Sequence, residues 1–274
     1  MHVPKTSGTV LHEVLRKALR PRVALEGFDQ SAFGGFRDFA TLDPRVRRNI
    51  YADRVPSADY IGGHIAAPTI LAARPDAQLV TVLREPRSRL LSHWLFWRSQ
   101  TEADLRPWGA WGAVVRQARE PLADFISRPA LAASTDNLAL RMLLWSDARI
   151  PPDDFIDPRH DDALVAAALA RLQTFAFADI VENPNLQANL EGWVGRKLTY
   201  PRRNETRFIP PAYRSPLRDE LSARAVDLLD RRSRLDRKLW DALAERLVAH
   251  EPPNDLCART FQGNGLRYAA LMAS

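Results

Sequence analysis

Apolar residues recur at helical spacing in several stretches of the chain. In residues 10–19 they occupy the first, second, fifth, sixth, ninth and tenth positions, and Pro21 follows. This pattern predicts an amphipathic helix that the proline ends. Leucines four apart, from Leu235 to Leu247, predict a later helix that packs on a sheet. Further helices are predicted over residues 87–98, 137–145, 161–172 and 185–195.

Three short apolar runs predict strands. Residues 78–83 form the clearest one, residues 59–64 form a short one that ends in glycines, and residues 175–181 alternate. The first two are expected to be parallel and buried. Strands separated by helices favour an α/β fold with three layers, P-loop-like, in which helices flank a mostly parallel central sheet. No internal repeat is present, and residues 1–274 are expected to form a single domain.

Two stretches lack this regularity. Residues 21–57 carry glycines and prolines among scattered aromatic residues, and residues 99–160 carry Trp108, Trp111 and proline interruptions. The first stretch is typical of a loop-rich connection, which could build a lid or a substrate wall. Core packing explains most tryptophans between positions 94 and 111 more simply than stacking on a ligand, which stays an alternative.

Composition is that of an ordinary globular protein. Of the 274 residues, 46% are hydrophobic and 26% are charged, and no apolar run approaches the roughly 20 residues that span a bilayer. Cys257 is the only cysteine, and the N-terminus has no apolar leader segment. We therefore expect a cytoplasmic protein without an internal disulfide.

The net charge of +6 suits a nucleic acid, an acidic membrane surface or a polyanionic small ligand. Many basic residues alternate with acidic ones on helical stretches, and no basic tail or basic-aromatic repeat is present. Nucleic acid is therefore not an expected partner. No cluster of His, Cys, Asp and Glu has the sequence spacing of metal ligands, so no metal site is predicted.

The chain opens with His-Val-Pro-Lys-Thr-Ser-Gly-Thr over residues 2–9, followed at once by the first predicted helix. Exposed backbone N–H groups and the positive end of the helix dipole favour an anion at such a place, and Lys5 adds a charge. The loop is not a Walker A motif, because its lysine precedes its only glycine. It therefore predicts an anion site and disfavours ATP hydrolysis.

A second motif, Arg-Glu-Pro-Arg-Ser-Arg-Leu-Leu-Ser, runs from Arg84 to Ser92 directly after the clearest strand. Ligand sites in open parallel sheets lie beyond the carboxyl ends of the strands, so both motifs should face one crevice. Arg84 would present a charged donor fork there, and Ser92 could turn its hydroxyl toward the same anion. An ion pair at the helix start and a solvent-facing hydroxyl are the alternative.

In this order and spacing, the two motifs resemble those of the sulfotransferases that use 3′-phosphoadenosine 5′-phosphosulfate (PAPS). Residues 2–9 resemble the family's 5′-phosphosulfate loop, and residues 84–92 resemble its 3′-phosphate motif. The Pro-Lys-Thr loop is closer to the carbohydrate and membrane-type branch than to the cytosolic phenol and steroid enzymes. Weaker similarities to the family lie at Gly63-His64, residues 135–145 and residues 235–240.

The resemblance implies a PAPS-dependent enzyme that sulfates a hydroxyl of a carbohydrate, a glycolipid or a similar small molecule. PAPS would be the co-substrate, and no metal would be required. Residues 21–57 and 99–160 would shape the acceptor side. The cofactor-binding residues implied are Lys5, Thr6, Ser7, Gly8, Thr9, Val10, Arg84, Ser92 and, in a further loop, Arg202, Arg203 and Asn204.

Two residues have implied catalytic roles. Lys5 would offset the negative charge that grows on the bridging oxygen as the sulfuryl group leaves its phosphate. His64 is the candidate base for the acceptor hydroxyl, because histidine titrates near neutrality and two glycines before it leave room for substrate. A hydrogen-bonded structural histidine is the alternative. The other functions considered are a P-loop nucleotide kinase or NTPase and a PAPS-binding protein without turnover.

The first strand of the resemblance is short. Only Met1, His2 and Val3 precede the loop, whereas the family has several more residues there. Either this strand is unusually short or the chain begins upstream. In the first case, Lys5 is expected to follow a frayed, poorly anchored segment.

Overall fold

Two small parallel sheets form the frame of the fold. The computed structural model describes residues 1–51, 58–200 and 208–273, without the side chain of Thr9. The strands are β1 (Ala24–Asp29), β2 (Ile50–Tyr51), β3 (Tyr60–His64), β4 (Val80–Leu83) and β5 (Phe177–Ile180). The first sheet has the order β2-β1-β3, and the second pairs β4 with β5. Every pairing is parallel.

Helices of very different lengths surround these sheets. The α-helices are α1 (Gly8–Leu19), α2 (Pro44–Arg47), α3 (Ala67–Ala73), α4 (Pro86–Arg98), α5 (Glu102–Leu105), α6 (Gly109–Arg116), α7 (Leu122–Ile126), α8 (Ala132–Thr135), α9 (Leu138–Leu144), α10 (Asp161–Gln173), α11 (Leu186–Val194), α12 (Leu217–Glu220), α13 (Ala223–Leu247) and α14 (Pro253–Ala273). Within the described ranges, none of them is both long and apolar enough to cross a membrane.

The first three residues lie between the two sheets. The Met1 amine donates to the Val80 carbonyl oxygen at 3.0 Å, and the His2 N–H donates to the Gly63 carbonyl oxygen at 3.0 Å. Val3 is fully buried. The segment is too short to be assigned as a strand, yet it connects β3 to β4. The expectation of a poorly anchored segment before the loop is therefore wrong.

Residues 21–51, the described part of the stretch predicted to be a loop-rich connection, contain two strands and a short helix. Ala24–Asp29 is the central strand of the first sheet. The sequence does not predict this strand, because Glu26 and Gly27 interrupt its apolar run. Gly27 pairs with Gly63 across β1 and β3. Gly63 has a φ of 121°, and a Cβ there would collide with the Gly27 carbonyl oxygen, so the close approach of these strands requires glycine.

Helices cover both faces of the second sheet. Val82 of β4 belongs to an apolar cluster with Val14 of α1 and Leu190 of α11. Its neighbour Leu83 belongs to the larger cluster that α3, α9, α10 and α13 complete. An α/β fold with parallel strands flanked by helices is therefore confirmed. A three-layer, P-loop-like arrangement around one central sheet stays a prediction, because the paired strands form two separate small sheets.

Helix α13 crosses the larger core. Leu235, Leu239 and Leu243 are buried, as their four-residue spacing predicts. Asp236 on the same helix is also buried and accepts a hydrogen bond from the Ala139 N–H at 3.0 Å. A carboxylate at a helix start stabilises the first turn, so α13 fixes the position of α9.

Candidate functional site

The opening loop has an uncommon backbone conformation. Lys5 (φ 70°) and Ser7 (φ 61°) are both left-handed. Such conformations cost non-glycine residues on the order of 1–3 kcal/mol and cluster at functional sites. Thr6 between them is buried, and its hydroxyl donates to the Val3 carbonyl oxygen at 2.9 Å. The Thr6 hydroxyl therefore stabilises the loop, and the implied role of Thr6 in cofactor binding stays a prediction.

Gly8 makes room for the His2 ring. A Cβ on Gly8 would overlap the His2 imidazole, so the ring would have to move for any larger residue. Gly8 is also the first residue of α1. The first N–H groups of a helix have no partner inside it, and with the helix dipole they attract an anion. Gly8 is therefore the position at which the loop ends, α1 begins and the His2 ring packs.

Arg84 ties the second motif to the first. It follows β4, and its Nη1 donates to the Lys5 carbonyl oxygen at 3.2 Å. Its Nη2 donates to Asn264 Oδ1 at 3.0 Å and to the Tyr268 hydroxyl at 2.9 Å. The planar guanidinium is therefore oriented by three oxygen atoms before any ligand arrives. The sequence predicts the place of Arg84 but not its contacts with α14.

Two carboxylates hold the end of β4. Glu85 is fully buried and pairs with Arg87 at 3.2 Å. Glu182, just after β5, accepts from the Glu85 N–H and from Trp240 Nε1, each at 3.0 Å. Burial raises the pKa of Glu182. The ion pair at the start of α4 is therefore formed by Arg87 with Glu85, whereas Arg84 lines the cavity.

Burial and one hydrogen bond fix the state of His64. Its Nδ1 donates to the His2 carbonyl oxygen at 2.9 Å, since a carbonyl oxygen can only accept. Burial lowers the pKa of His64 below its ordinary value of 6.5; the hydrogen bond to His2 opposes this, and the charge of Lys5 adds to it. The neutral ring carries its proton on Nδ1 and presents a lone pair at Nε2. His64 thus has a structural hydrogen bond at Nδ1 and a hydrogen-bond acceptor at Nε2.

One cavity of about 730 Å³ brings the two motifs together. The predicted site residues that line it are Lys5, Ser7, Gly8, Val10, His64, Arg84 and Ser92. The side chain of Thr9 and the three residues Arg202, Arg203 and Asn204 lie outside the described part of the chain.

The Lys5 ammonium lies over an aromatic ring. Its Nζ is 4.3 Å from the centroid of Phe96 on α4. A cation–π contact of this kind contributes roughly 0.5–2 kcal/mol and gives the flexible side chain a preferred direction. Ser92 lies one helical turn before Phe96, so both face the loop from the same side of α4.

Helix α14 forms a cavity wall that sequence reasoning missed. The residues that it contributes are Thr260, Asn264, Arg267, Tyr268 and Leu271. Steps of four, three, one and three place them on one face of the helix. This spacing is the signal that the sequence offers, but it has meaning only once a helix is predicted over residues 253–273. Two residues of this face, Asn264 and Tyr268, accept hydrogen bonds from the Arg84 guanidinium.

The opposite side of the cavity is aromatic. Phe28 and Phe33 come from the first irregular stretch of sequence, and Trp108 and Trp111 come from the second. The ring centroids of Phe33 and Trp111 are 5.0 Å apart, and those of Phe28 and Trp108 are 5.8 Å apart. Both stretches expected to shape a substrate pocket therefore contribute to one wall.

Comparison with known proteins does not identify this site. No family model matches the chain, and neither does any curated protein or solved structure. In the residues that the structure describes, no group of three or more His, Cys, Asp or Glu side chains could hold a metal ion. The geometry of the cavity is therefore the basis for a functional assignment.

Proposed function

We propose that this protein is a sulfotransferase that moves a sulfuryl group from PAPS to a hydroxyl of a small acceptor. The hydrogen bond from Arg84 to the Lys5 carbonyl oxygen carries the proposal. It joins two motifs that are 79 positions apart in the chain and that resemble the two phosphate-binding elements of one family. A P-loop-like arrangement of strands around the site is part of the same proposal.

The cavity residues fit such a donor. PAPS supplies the activated sulfuryl group on its 5′-phosphate and carries a second phosphate at its 3′ position. The Lys5 ammonium and the first N–H groups of α1 suit the 5′-phosphosulfate. Arg84 and Ser92 suit the 3′-phosphate. Phosphate oxygens could replace Asn264 Oδ1 and the Tyr268 hydroxyl, which now accept from Arg84 Nη2.

Lys5 acts on the charge that develops during transfer. In an in-line displacement, the acceptor oxygen bonds to sulfur while the bond from sulfur to the bridging oxygen breaks, and the departing phosphate takes the electron pair. A fixed cation beside that oxygen stabilises the transition state more than the ground state. The left-handed backbone of Lys5 and its contact with Phe96 hold the cation in advance.

His64 takes the proton of the acceptor hydroxyl. Its Nδ1 is engaged with the His2 carbonyl oxygen, so Nε2 is the nitrogen that accepts. A positioned base of this kind contributes roughly 10²- to 10⁴-fold to a rate. The acceptor would enter from the aromatic side of the cavity. A carbohydrate, a glycolipid or a similar hydroxyl compound in the cytoplasm is the acceptor class that accompanies this proposal.

Calorimetric titration of the wild-type protein tests the donor. We expect adenosine 3′,5′-bisphosphate to bind at least tenfold more tightly than adenosine 5′-monophosphate, and more tightly than ATP. Tighter binding of ATP would contradict the proposal and favour a nucleotide kinase or NTPase. Incubation with sulfur-labelled PAPS and a cell extract then tests transfer. Binding of the bisphosphate without any labelled product would favour a PAPS-binding protein without turnover.

A further inference from the structure

Helix α14 is attached to the rest of the protein near each of its ends. Near its start, the Cys257 Sγ accepts a hydrogen bond from Arg87 Nη2 at 3.2 Å. Near its end, Tyr268 and Met272 are buried in an apolar cluster that also contains side chains of α4. Residues 258–267 between these ends are all partly or fully exposed. The middle of the helix is therefore supported less by packing than either end.

The middle of α14 contains three consecutive residues that favour helices weakly, Gly263, Asn264 and Gly265. A Cβ at either glycine would have open space around it, so no close contact with a described residue requires glycine at these positions. Relative to alanine, each glycine lowers the equilibrium constant for helix formation about fivefold. The Asn264 side chain also donates to the Thr260 carbonyl oxygen at 3.0 Å, a contact that competes with regular helix bonding. Residues 263–265 are therefore the place where α14 bends most easily.

Arg84 contacts both this weak point and the residues that follow it. Its Nη2 carries two hydrogens, and it donates to Asn264 Oδ1 at 3.0 Å and to the Tyr268 hydroxyl at 2.9 Å. Asn264 lies within the weak point, whereas Tyr268 lies beyond it. Both hydrogens of Nη2 are therefore engaged by α14, and an anion that binds to this nitrogen must displace one of the two side chains.

The segment after the weak point is part of the cavity wall. Arg267, Tyr268 and Leu271 line the cavity, and their spacing places them on one face of the helix. A bend at residues 263–265 that moves this segment outward would open this side of the cavity. The same motion would separate the Tyr268 hydroxyl from Arg84. Access to the cavity and release of Arg84 are therefore coupled through one segment.

We propose that residues 266–273 form a lid on the donor site, with residues 263–265 as its hinge and Arg84 as the group that holds it closed. This inference rests on the proposed function, because the 3′-phosphate of the donor is the anion that replaces Tyr268 at Arg84. A phosphate accepts stronger hydrogen bonds from a guanidinium than a neutral hydroxyl does, so a bound donor favours the open lid. The apparent donor affinity is then the affinity of the open form multiplied by the fraction of molecules that are open.

Hydrogen–deuterium exchange of the wild-type protein, with and without adenosine 3′,5′-bisphosphate, tests the lid. We expect the bisphosphate to speed exchange of the amides of residues 266–273 at least about fivefold, because an open lid loses its contacts with the cavity. A ligand that only contacts α14 would slow this exchange. Slower or unchanged exchange at saturation would therefore overturn the inference and leave the donor assignment standing. If calorimetry shows no binding of the bisphosphate, the proposed function is wrong, and the lid is wrong with it.

Substitutions test the hinge and the contact that closes the lid. The double variant Gly263→Ala/Gly265→Ala strengthens the helix of the closed lid, so the bisphosphate should bind at least about fivefold more weakly in calorimetric titrations. Tyr268→Phe removes the hydroxyl that competes for Arg84, and binding should become at least about threefold tighter. Gly192→Ala on α11, also with open space around its Cβ, is the matched control. Unchanged affinity in the double variant, or weaker binding by Tyr268→Phe, would refute the lid; the double variant decides alone if Tyr268→Phe does not fold.

Discussion

The two sides of the cavity are organised by different interactions. The donor side consists of Lys5, Arg84, Ser92 and the polar face of α14, and its charged groups are oriented by hydrogen bonds and by the Phe96 ring. The aromatic wall, formed by Phe28, Phe33, Trp97, Trp108 and Trp111, is held by ring packing, and the polar atoms of these side chains are the indole N–H groups. Directional bonds suit a ligand whose anionic groups have fixed positions. Ring packing suits a ligand that is recognised by its shape.

The largest effect is expected from Lys5→Ala, which removes the cation of the donor side. Loss of one well-aimed charge typically costs about 3–4 kcal/mol at the transition state, so kcat should fall by about 10²- to 10³-fold. The acceptor KM should change little, because the aromatic wall is intact. Steady-state kinetics with labelled PAPS measures both. Lys17→Ala, on the exposed face of α1, is the control; an equal loss of kcat there would show that Lys5 has no special role.

Arg84→Lys tests whether the donor side needs a planar fork. Lysine keeps the charge but cannot satisfy Lys5 O, Asn264 and Tyr268 together. We expect the preference for adenosine 3′,5′-bisphosphate over adenosine 5′-monophosphate to shrink by at least tenfold, about 1.4 kcal/mol, in calorimetric titrations. Arg74→Lys is the control, outside the cavity wall. A preserved preference in Arg84→Lys would place the 3′-phosphate elsewhere.

Gly8→Ala asks how tightly the donor side is packed. The new Cβ would displace the His2 ring, and overpacking of this kind costs roughly 1–3 kcal/mol of unfolding free energy. Gly263→Ala on α14 has open space around its Cβ and should instead stabilise the helix by up to about 1 kcal/mol. Urea denaturation of both variants gives the comparison. Equal stability of the two would mean that the loop adapts to the larger residue.

The pH dependence of the unfolding free energy tests whether the buried histidines are neutral. Burial lowers the folded-state pKa of His2, His64 and His93. The unfolded chain therefore binds more protons below pH 6.5, so this part of the stability is complete above pH 6.5 and is lost as the pH falls toward the folded values. Each group contributes at most about 1.4 kcal/mol per pH unit. In urea denaturation between pH 5 and 7.5, His93→Gln should show a shallower dependence than the wild type; parallel curves would contradict the buried, neutral state of His93.

The meeting of the two motifs in one cavity is what the sequence predicts well. The loop at Lys5 and the motif at Arg84 are short, and each contains the residue types that an anion site needs next to a strand or helix signal. Placing them in one cavity requires only that parallel strands end at the same edge. Strand β1 is not predicted. Glu26 and Gly27 interrupt its apolar run, and they fit a strand only when the pairing of Gly27 with Gly63 of β3 is known. Tertiary pairing overrides a weak local pattern there.

The missed site residues have only a weak local signal, the helical spacing of the α14 residues that line the cavity. Asn264 and Tyr268 acquire a function only through contact with Arg84, which is 180 or more positions away. His93 stands beside Ser92 in the sequence, and only the folded chain shows that neither of its ring nitrogens has a hydrogen-bond partner among the described residues. Long-range contact and unsatisfied burial are properties of the folded chain, and no periodicity along the sequence encodes them.

The segment from Met1 to Val3 has a consequence for the whole molecule. Its backbone joins the sheet of β3 to that of β4 and continues directly into the loop that carries Lys5. A ligand that binds both this loop and Arg84 must therefore also hold the two sheets together. Its binding free energy adds to the free energy needed to separate them. The amide proton of His2, which bonds to the Gly63 carbonyl oxygen, would then report on occupancy through slower exchange with solvent deuterium.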